Sequence, residues 1–223
     1  MNESQRGESA PTQTRDRPAR GAVAPGWIVL ARHGKPKGDR RVRLDWRGYL
    51  DWWGEYDRSG LVEGEKPPER LKQLAGDAQV IFSSTLPRAI ETAHAIAGQK
   101  TVVQDPVFVE AALPPPPLWG RRRPGHWGVL ARTSWWFGRH AGMESRTQAE
   151  LRAEAAVATL SARALRGENV VLCGHGWFNR MMRPVLLSQA WRCVEDHGDD
   201  YWTYRRYERR SFADRERRAK SEP

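Results

Sequence analysis

Two short apolar runs, far apart in the chain and each closed by His-Gly, constrain this sequence more than any other feature. Ile28-Val29-Leu30-Ala31-Arg32 leads into His33-Gly34, and Val170-Val171-Leu172-Cys173-Gly174 leads into His175-Gly176. Continuous apolar runs of this length read as strands buried on both faces, the kind found in parallel sheets covered by helices. In open α/β sheets, ligands bind just beyond the carboxyl ends of such strands. Two imidazoles delivered to one such crevice, with Arg32 beside the first, describe a site built for an anion.

A third apolar run, Val80-Ile81-Phe82, leads into Ser83-Ser84-Thr85-Leu86-Pro87-Arg88-Ala89-Ile90-Glu91-Thr92-Ala93. The hydroxyl residues are candidate N-caps, and Pro87 fits the first helical turn, where its missing N–H costs nothing. Arg88 then sits at a helix N-terminus, where free N–H groups and the dipole already favour an anion. A guanidinium there is electrostatically awkward unless a negative ligand is expected. Its planar, bidentate donors suit phosphate.

Taken together and in order, Arg32-His33-Gly34, the 83–93 segment and Gly174-His175-Gly176 resemble the motifs of the histidine phosphatase superfamily, also called phosphoglycerate mutase-like. The resemblance spans about residues 26–207. It implies phosphoryl transfer through a phosphohistidine, with no metal and no cofactor. His33 matches the nucleophile, Arg32, Arg88 and His175 match the phosphate pocket, and Glu110 matches the proton donor. The residue chemistry is compatible. A neutral imidazole nitrogen is nucleophilic near pH 7, and cations held around the equatorial oxygens stabilise the transferring group. A carboxyl group desolvated by aromatics in a cleft can serve as the acid. Glu144 and Asp57 are weaker candidates for that role.

Two departures from the family pattern narrow the activity. After Glu110 the usual Gly and Trp-Glu-Gly signature is replaced by Pro114-Pro115-Pro116-Pro117. After the first motif, Lys35-Pro36-Lys37-Gly38 stands where mutases and bisphosphatases have an acidic residue, a hydroxyl residue and an Asn. Lys35 and Lys37 are solvated loop residues or reach a second anionic group on the substrate. The expected activity is therefore hydrolysis of a small phosphomonoester. The alternatives are a phosphoglycerate-mutase-type phosphotransferase, a protein-phosphohistidine phosphatase, or a non-catalytic phosphate-binding scaffold.

Strands alternating with helices give an α/β fold, a three-layer sandwich whose mostly parallel, doubly wound sheet carries helices on both faces. Helices are expected over 44–56, 67–75, 87–97, 144–166 and 177–188, the last interrupted by Pro184. Short strands are expected at 102–103 and 107–109, and a final one around 201–204. A Trp-rich cap insertion occupies about 111–142. Its Trp127, Trp135 and Trp136 read as packing the cap onto the core, with an apolar acceptor site as the alternative. Asp196-His197-Gly198-Asp199-Asp200 reads as a turn rather than a metal cluster, and His94, His126 and His140 as structural or exposed.

The chain has 223 residues, enough for one α/β domain. Residues 1–24 have almost nothing to bury and read as a disordered extension ahead of a 25–207 domain. The Arg- and acid-rich end from Arg205 reads as a solvated tail or frayed helix, with a basic tail at 208–223. That end contributes to a formal charge of +10. Its interspersed acids and the lack of any nucleic-acid motif argue against a specific nucleic-acid partner and leave only a weak contact with anionic surfaces. No run approaches membrane-spanning length and no export signal is legible. Cys173 and Cys193 do not make a disulfide scaffold. A cytoplasmic location is the expectation.

Overall fold

The computed structural model describes residues 23–210. Each apolar run is a strand: β1 is Ile28–Arg32, β2 Val80–Ser83 and β4 Val170–Gly174. With β3 (Val102–Gln104), β5 (Trp191–Asp196) and β6 (Tyr204–Arg209) they form one sheet in the order β3-β2-β4-β1-β6-β5. The β3, β2, β4 and β1 strands run parallel, and β6 runs antiparallel to both β1 and β5.

Alternation along the strands explains the layers. Ile28 and Leu30 pack on one face with Val157 and Leu160 of α5 (Arg146–Ala164) and Phe178 and Met182 of α6 (Gly176–Ser188). Val29 and Ala31 pack on the other with Leu71 and Leu74 of α2 (Glu69–Asp77) and Ala93 and Ile96 of α3 (Pro87–Ala97). The result is the expected three-layer sandwich. Local signals set the helix starts: Asp45 caps α1 (Trp46–Arg58) by accepting from the Gly48 N–H, and Ser145 with Gln148 forms a capping box on α5.

The Trp-rich 111–142 segment contains one helix, α4 (Pro124–Trp136). Trp127 and Trp135 are fully buried, and their indole N–H groups donate to Leu44 O and Glu144 O at 2.7 and 2.8 Å. Both are packing residues. Trp136 is 45% exposed, with the Arg146 guanidinium 3.6 Å over its ring.

Three expectations about elements are corrected. Residues 106–108 form a 3₁₀ turn, not a strand: Pro106 has no N–H for a ladder, and the Asp105 carboxylate takes the Val107 N–H at 2.8 Å. The last strand begins at Tyr204, because Trp202 has φ of 63° and sits in a turn. The arginine-rich stretch 205–209 is part of that strand. It pairs with β5, a strand not anticipated, and their charges match across the ladder: Arg206 to Glu195 at 2.9 Å and Arg205 to Asp196 at 2.9 Å. The expected extension and tail lie outside the described residues, apart from residues 23–24 and 208–210.

Candidate active site

The central strands β2, β4 and β1 are parallel neighbours, so their carboxyl ends open on the same side. The register pairs Arg32 with Gly174 and Ser83 with Cys173. One residue further on, the His33 and His175 rings stand 5.2 Å apart, centroid to centroid. The glycine after each histidine answers a close approach. A Cβ at Gly34 would meet the Trp202 ring at 2.4 Å, and one at Gly176 would meet Arg32 Nε at 3.1 Å.

His33 is almost fully buried, and its Nδ1 lies 2.7 Å from Gly34 O. A carbonyl only accepts, so Nδ1 carries the proton and Nε2 keeps its lone pair. Arg88 Nε donates to that Nε2 at 3.3 Å. The remaining Arg88 nitrogens are gripped by the last turn of α1: one donates to Tyr56 O at 3.1 Å and another to Asp57 Oδ1 at 3.0 Å. The Tyr56 ring lies 4.7 Å below the guanidinium. Burial raises the Asp57 carboxyl pKa above its ordinary value, and the opposing pull of Arg88 does not overcome it.

His175 is fully buried. Its Nε2 is 2.6 Å from Ser84 Oγ, and its Nδ1 has no partner. The Arg32 guanidinium lies 4.4 Å over the Tyr201 ring and donates to Asp199 O, while its buried Nε is also unpartnered. Asp199 is held by Arg205 and Arg180, which bring its pKa to about 2 even though burial works against ionisation. Unpaired buried donors are costly. Arg32 Nε–H is one such donor, and His175 Nδ1 is another when Ser84 Oγ–H donates to the ring's Nε2; a tetrahedral oxyanion would satisfy both.

Glu110 stands in the same neighbourhood but in an unanticipated arrangement. Its oxygens accept the N–H groups of Trp177 (3.2 Å), Phe178 (2.8 Å) and Ala111 (3.2 Å), so it caps the start of α6. It lines a small hollow of about 100 Å³ with Arg32, Arg132 and Arg180, and a second of about 230 Å³ with Tyr49, Trp53 and Asp57. A hollow of about 560 Å³ between residues 45–47 and 117–121 has neither histidine, nor Arg32, Arg88 or Glu110, in its wall.

The other candidates fall elsewhere. Glu144 is bound by Arg152 through two 2.7 Å contacts, and Arg152 also holds Val107 O and Val109 O, so this acid braces a loop. Lys37 is exposed and paired with Glu63 at 3.5 Å, and Lys35 is exposed. Asp196 accepts the Gly198 N–H at 2.9 Å in a turn, as its sequence suggests. Among the described residues no helix is long and apolar enough to cross a membrane. Tyr56, Tyr201, Asp199 and Arg132 carry no motif. Only the folded arrangement brings them here.

Burial is the main cause, and the Arg88 guanidinium the second, that holds the pKa values of His33 and His175 well below the ordinary 6.5. Unfolding exposes both rings, which then take up protons near pH 6.5 while the folded protein keeps them neutral. Below pH 6.5 the unfolded state binds more protons, so stability falls with pH by about 1.4 kcal/mol per unit for each ring. Urea unfolding of the ligand-free protein from pH 8 to 5 should show this slope below 6.5, reduced in His33→Gln. Equal slopes in the two proteins would contradict it.

The carboxyl ends of the parallel strands β1 and β4 bring two buried histidines together, with Arg88 bonded to one and Arg32 packed against the glycine that follows the other. A family model of the histidine phosphatase superfamily (branch 1) matches residues 28–197, and the chain belongs to that superfamily. Among solved structures it is similar to phosphoglycerate mutase from Bacillus anthracis str. Sterne, at 17% identity and a TM-score of 0.53 over 89% of this chain and 97% of that one. It is similar to a structure described as mycobacterial hydrolase 2, at 20% identity and a TM-score of 0.53, over 90% of this chain and 99% of that one. A third is a mycobacterial glucosyl-3-phosphoglycerate phosphatase complexed with VO3, at 24% identity and a TM-score of 0.50, over 73% and 82%. These likenesses establish the fold. A search of curated protein sequences gives no match.

Proposed function

We propose that this protein is a metal-independent phosphatase that hydrolyses a small phosphomonoester through a phosphohistidine at His33. The observation that carries the reading is the His33 ring itself: Nδ1–H is fixed on Gly34 O, leaving Nε2 as a lone pair beside Arg88 and 5.2 Å from His175, measured between ring centroids. Arg88 donates to that lone pair in the ligand-free arrangement. An arriving phosphoryl oxygen takes over the hydrogen bond and frees Nε2.

The reaction then runs in two displacements. His33 Nε2 forms an N–P bond as the ester P–O bond breaks, and the leaving oxygen takes a proton from Glu110. Water next attacks phosphorus and gives a proton to Glu110, and the N–P bond breaks to release inorganic phosphate. Arg32, Arg88 and His175 hold the phosphoryl oxygens throughout, their charge positioned before reaction begins. With Ser84 Oγ–H donating to Nε2 of His175, the unpartnered Nδ1–H becomes a donor for one of those oxygens. A cytoplasmic location fits the two unpaired cysteines, Cys173 buried and Cys193 exposed.

Phosphate release from 4-nitrophenyl phosphate, unchanged by chelator, is the expected result. Glu110→Gln separates acid from helix cap. As the acid, Glu110 is worth about 10²- to 10⁴-fold on an alkyl phosphate and much less on 4-nitrophenyl phosphate, whose leaving group needs little protonation. Equal losses on both esters, accompanied by a lower unfolding temperature, would leave Glu110 as a cap alone.

A further inference from the structure

We propose that the hollow of about 230 Å³ beside Glu110 receives the leaving group of the substrate, and that this group is an uncharged, apolar alcohol of arylalkyl size. The inference deepens the phosphatase reading and rests on it. Position comes first. Asp57 in the wall is bonded to Arg88, which is bonded to His33 Nε2, so the hollow begins two hydrogen bonds from the nucleophile. Glu110 belongs to the walls of both hollows. In an in-line displacement the leaving oxygen points away from the nucleophile and toward its proton donor. Whatever is attached to that oxygen therefore continues past Glu110.

Size and chemistry then divide the two spaces. The hollow of about 100 Å³ is lined by Arg32, Arg132 and Arg180 against Glu110 and Asp199, an excess of cations that suits a compact anion. The other is more than twice as large, and engineered apolar cavities of about 150 Å³ accept benzene. Its wall includes Leu50, Trp53, Val109, Leu113 and Met143, and no Lys, Arg or His. Its two acidic side chains are Asp57, which Arg88 pairs, and Glu110. A leaving group bearing a carboxylate or second phosphate would be desolvated there with no lining cation to pair with, Arg88 being already engaged by Asp57, which selects against it. Two consecutive buried prolines, Pro114 and Pro115, stiffen one side, and the half-exposed Met143 offers an adaptable surface on another.

The test compares 2-phenylethyl phosphate with glycerol phosphate, two alkyl esters of similar leaving-group acidity, on the full chain. The expected kcat/KM ratio favours the phenylethyl ester by about tenfold or more, from burial of the ring. Ala112→Leu, which fills the hollow, and Met143→Lys, which puts a cation at its half-exposed edge, should each reduce that ratio about fivefold. Met143→Lys should also raise relative turnover of a carboxylated phenylethyl ester, and its exposed site keeps folding out of question. A ratio near one, or a ratio that neither variant moves, overturns the inference while leaving the phosphatase reading intact. No turnover of any ester, with His33 unlabelled, removes both.

Discussion

Replacement of His33 by alanine is expected to abolish hydrolysis of phosphate monoesters, with a loss of about 10⁴-fold or more in kcat. The size of the loss follows from the mechanism. Without Nε2 the N–P bond cannot form, and water must attack the ester directly in a site arranged for an imidazole. Burial should be little disturbed, since Gly34 keeps its N–H bond to Thr92 Oγ1 at 2.9 Å and the His33 N–H keeps Gly174 O at 3.0 Å, neither of which uses the ring. Steady-state turnover with 4-nitrophenyl phosphate, checked against the circular dichroism of the variant, measures it. A folded His33→Ala protein that retains full turnover would mean the nucleophile is elsewhere.

The second large effect is expected at Arg88. Its guanidinium is 1% exposed and meets His33 Nε2, Tyr56 O and Asp57 within 3.3 Å. Arg88→Met should lower kcat/KM by about 10³-fold, the range for removing a preorganised charged donor from a phosphoryl-transfer site. Arg88→Lys should recover only a fraction, because an ammonium cannot span all three partners. The substitution also strands Asp57, whose side chain is 34% exposed, so the accompanying loss of stability is tempered by solvent. Kinetics taken well below each variant's unfolding temperature separate the two effects. A methionine variant within tenfold of the native enzyme would remove Arg88 from the phosphate pocket.

The sheet core was legible because β1, β2 and β4 are buried on both faces and must be apolar throughout. The antiparallel edge was not. The β5 and β6 strands carry Arg192, Glu195, Asp196, Arg205, Arg206 and Glu208, which pair across the ladder, and a single sequence does not show which arginine will find which acid. The crevice divides in the same way. His33, Arg32, Arg88 and His175 follow strand ends and could be placed from the chain alone. Tyr56 and Asp57 reach Arg88 only because the α1 helix ends against α3, and Tyr201 reaches Arg32 through a turn with φ of 63° at Trp202. Glu110 was placed by family resemblance. Its second part, holding the first N–H groups of α6, depends on the 3₁₀ turn before it. That turn reads as a strand, since Val107-Phe108-Val109 is apolar, β-branched at both ends and aromatic between, and gives no hint that Asp105 caps it.

The most direct test of the mechanism is chemical capture of the intermediate. Rapid quench in alkali with a ³²P-labelled monoester should yield label on the protein that is stable to base, lost in acid, and located on His33 by peptide mapping. Label on a serine or carboxylate, or steady turnover with no protein-bound phosphorus at any quench time, would contradict the account.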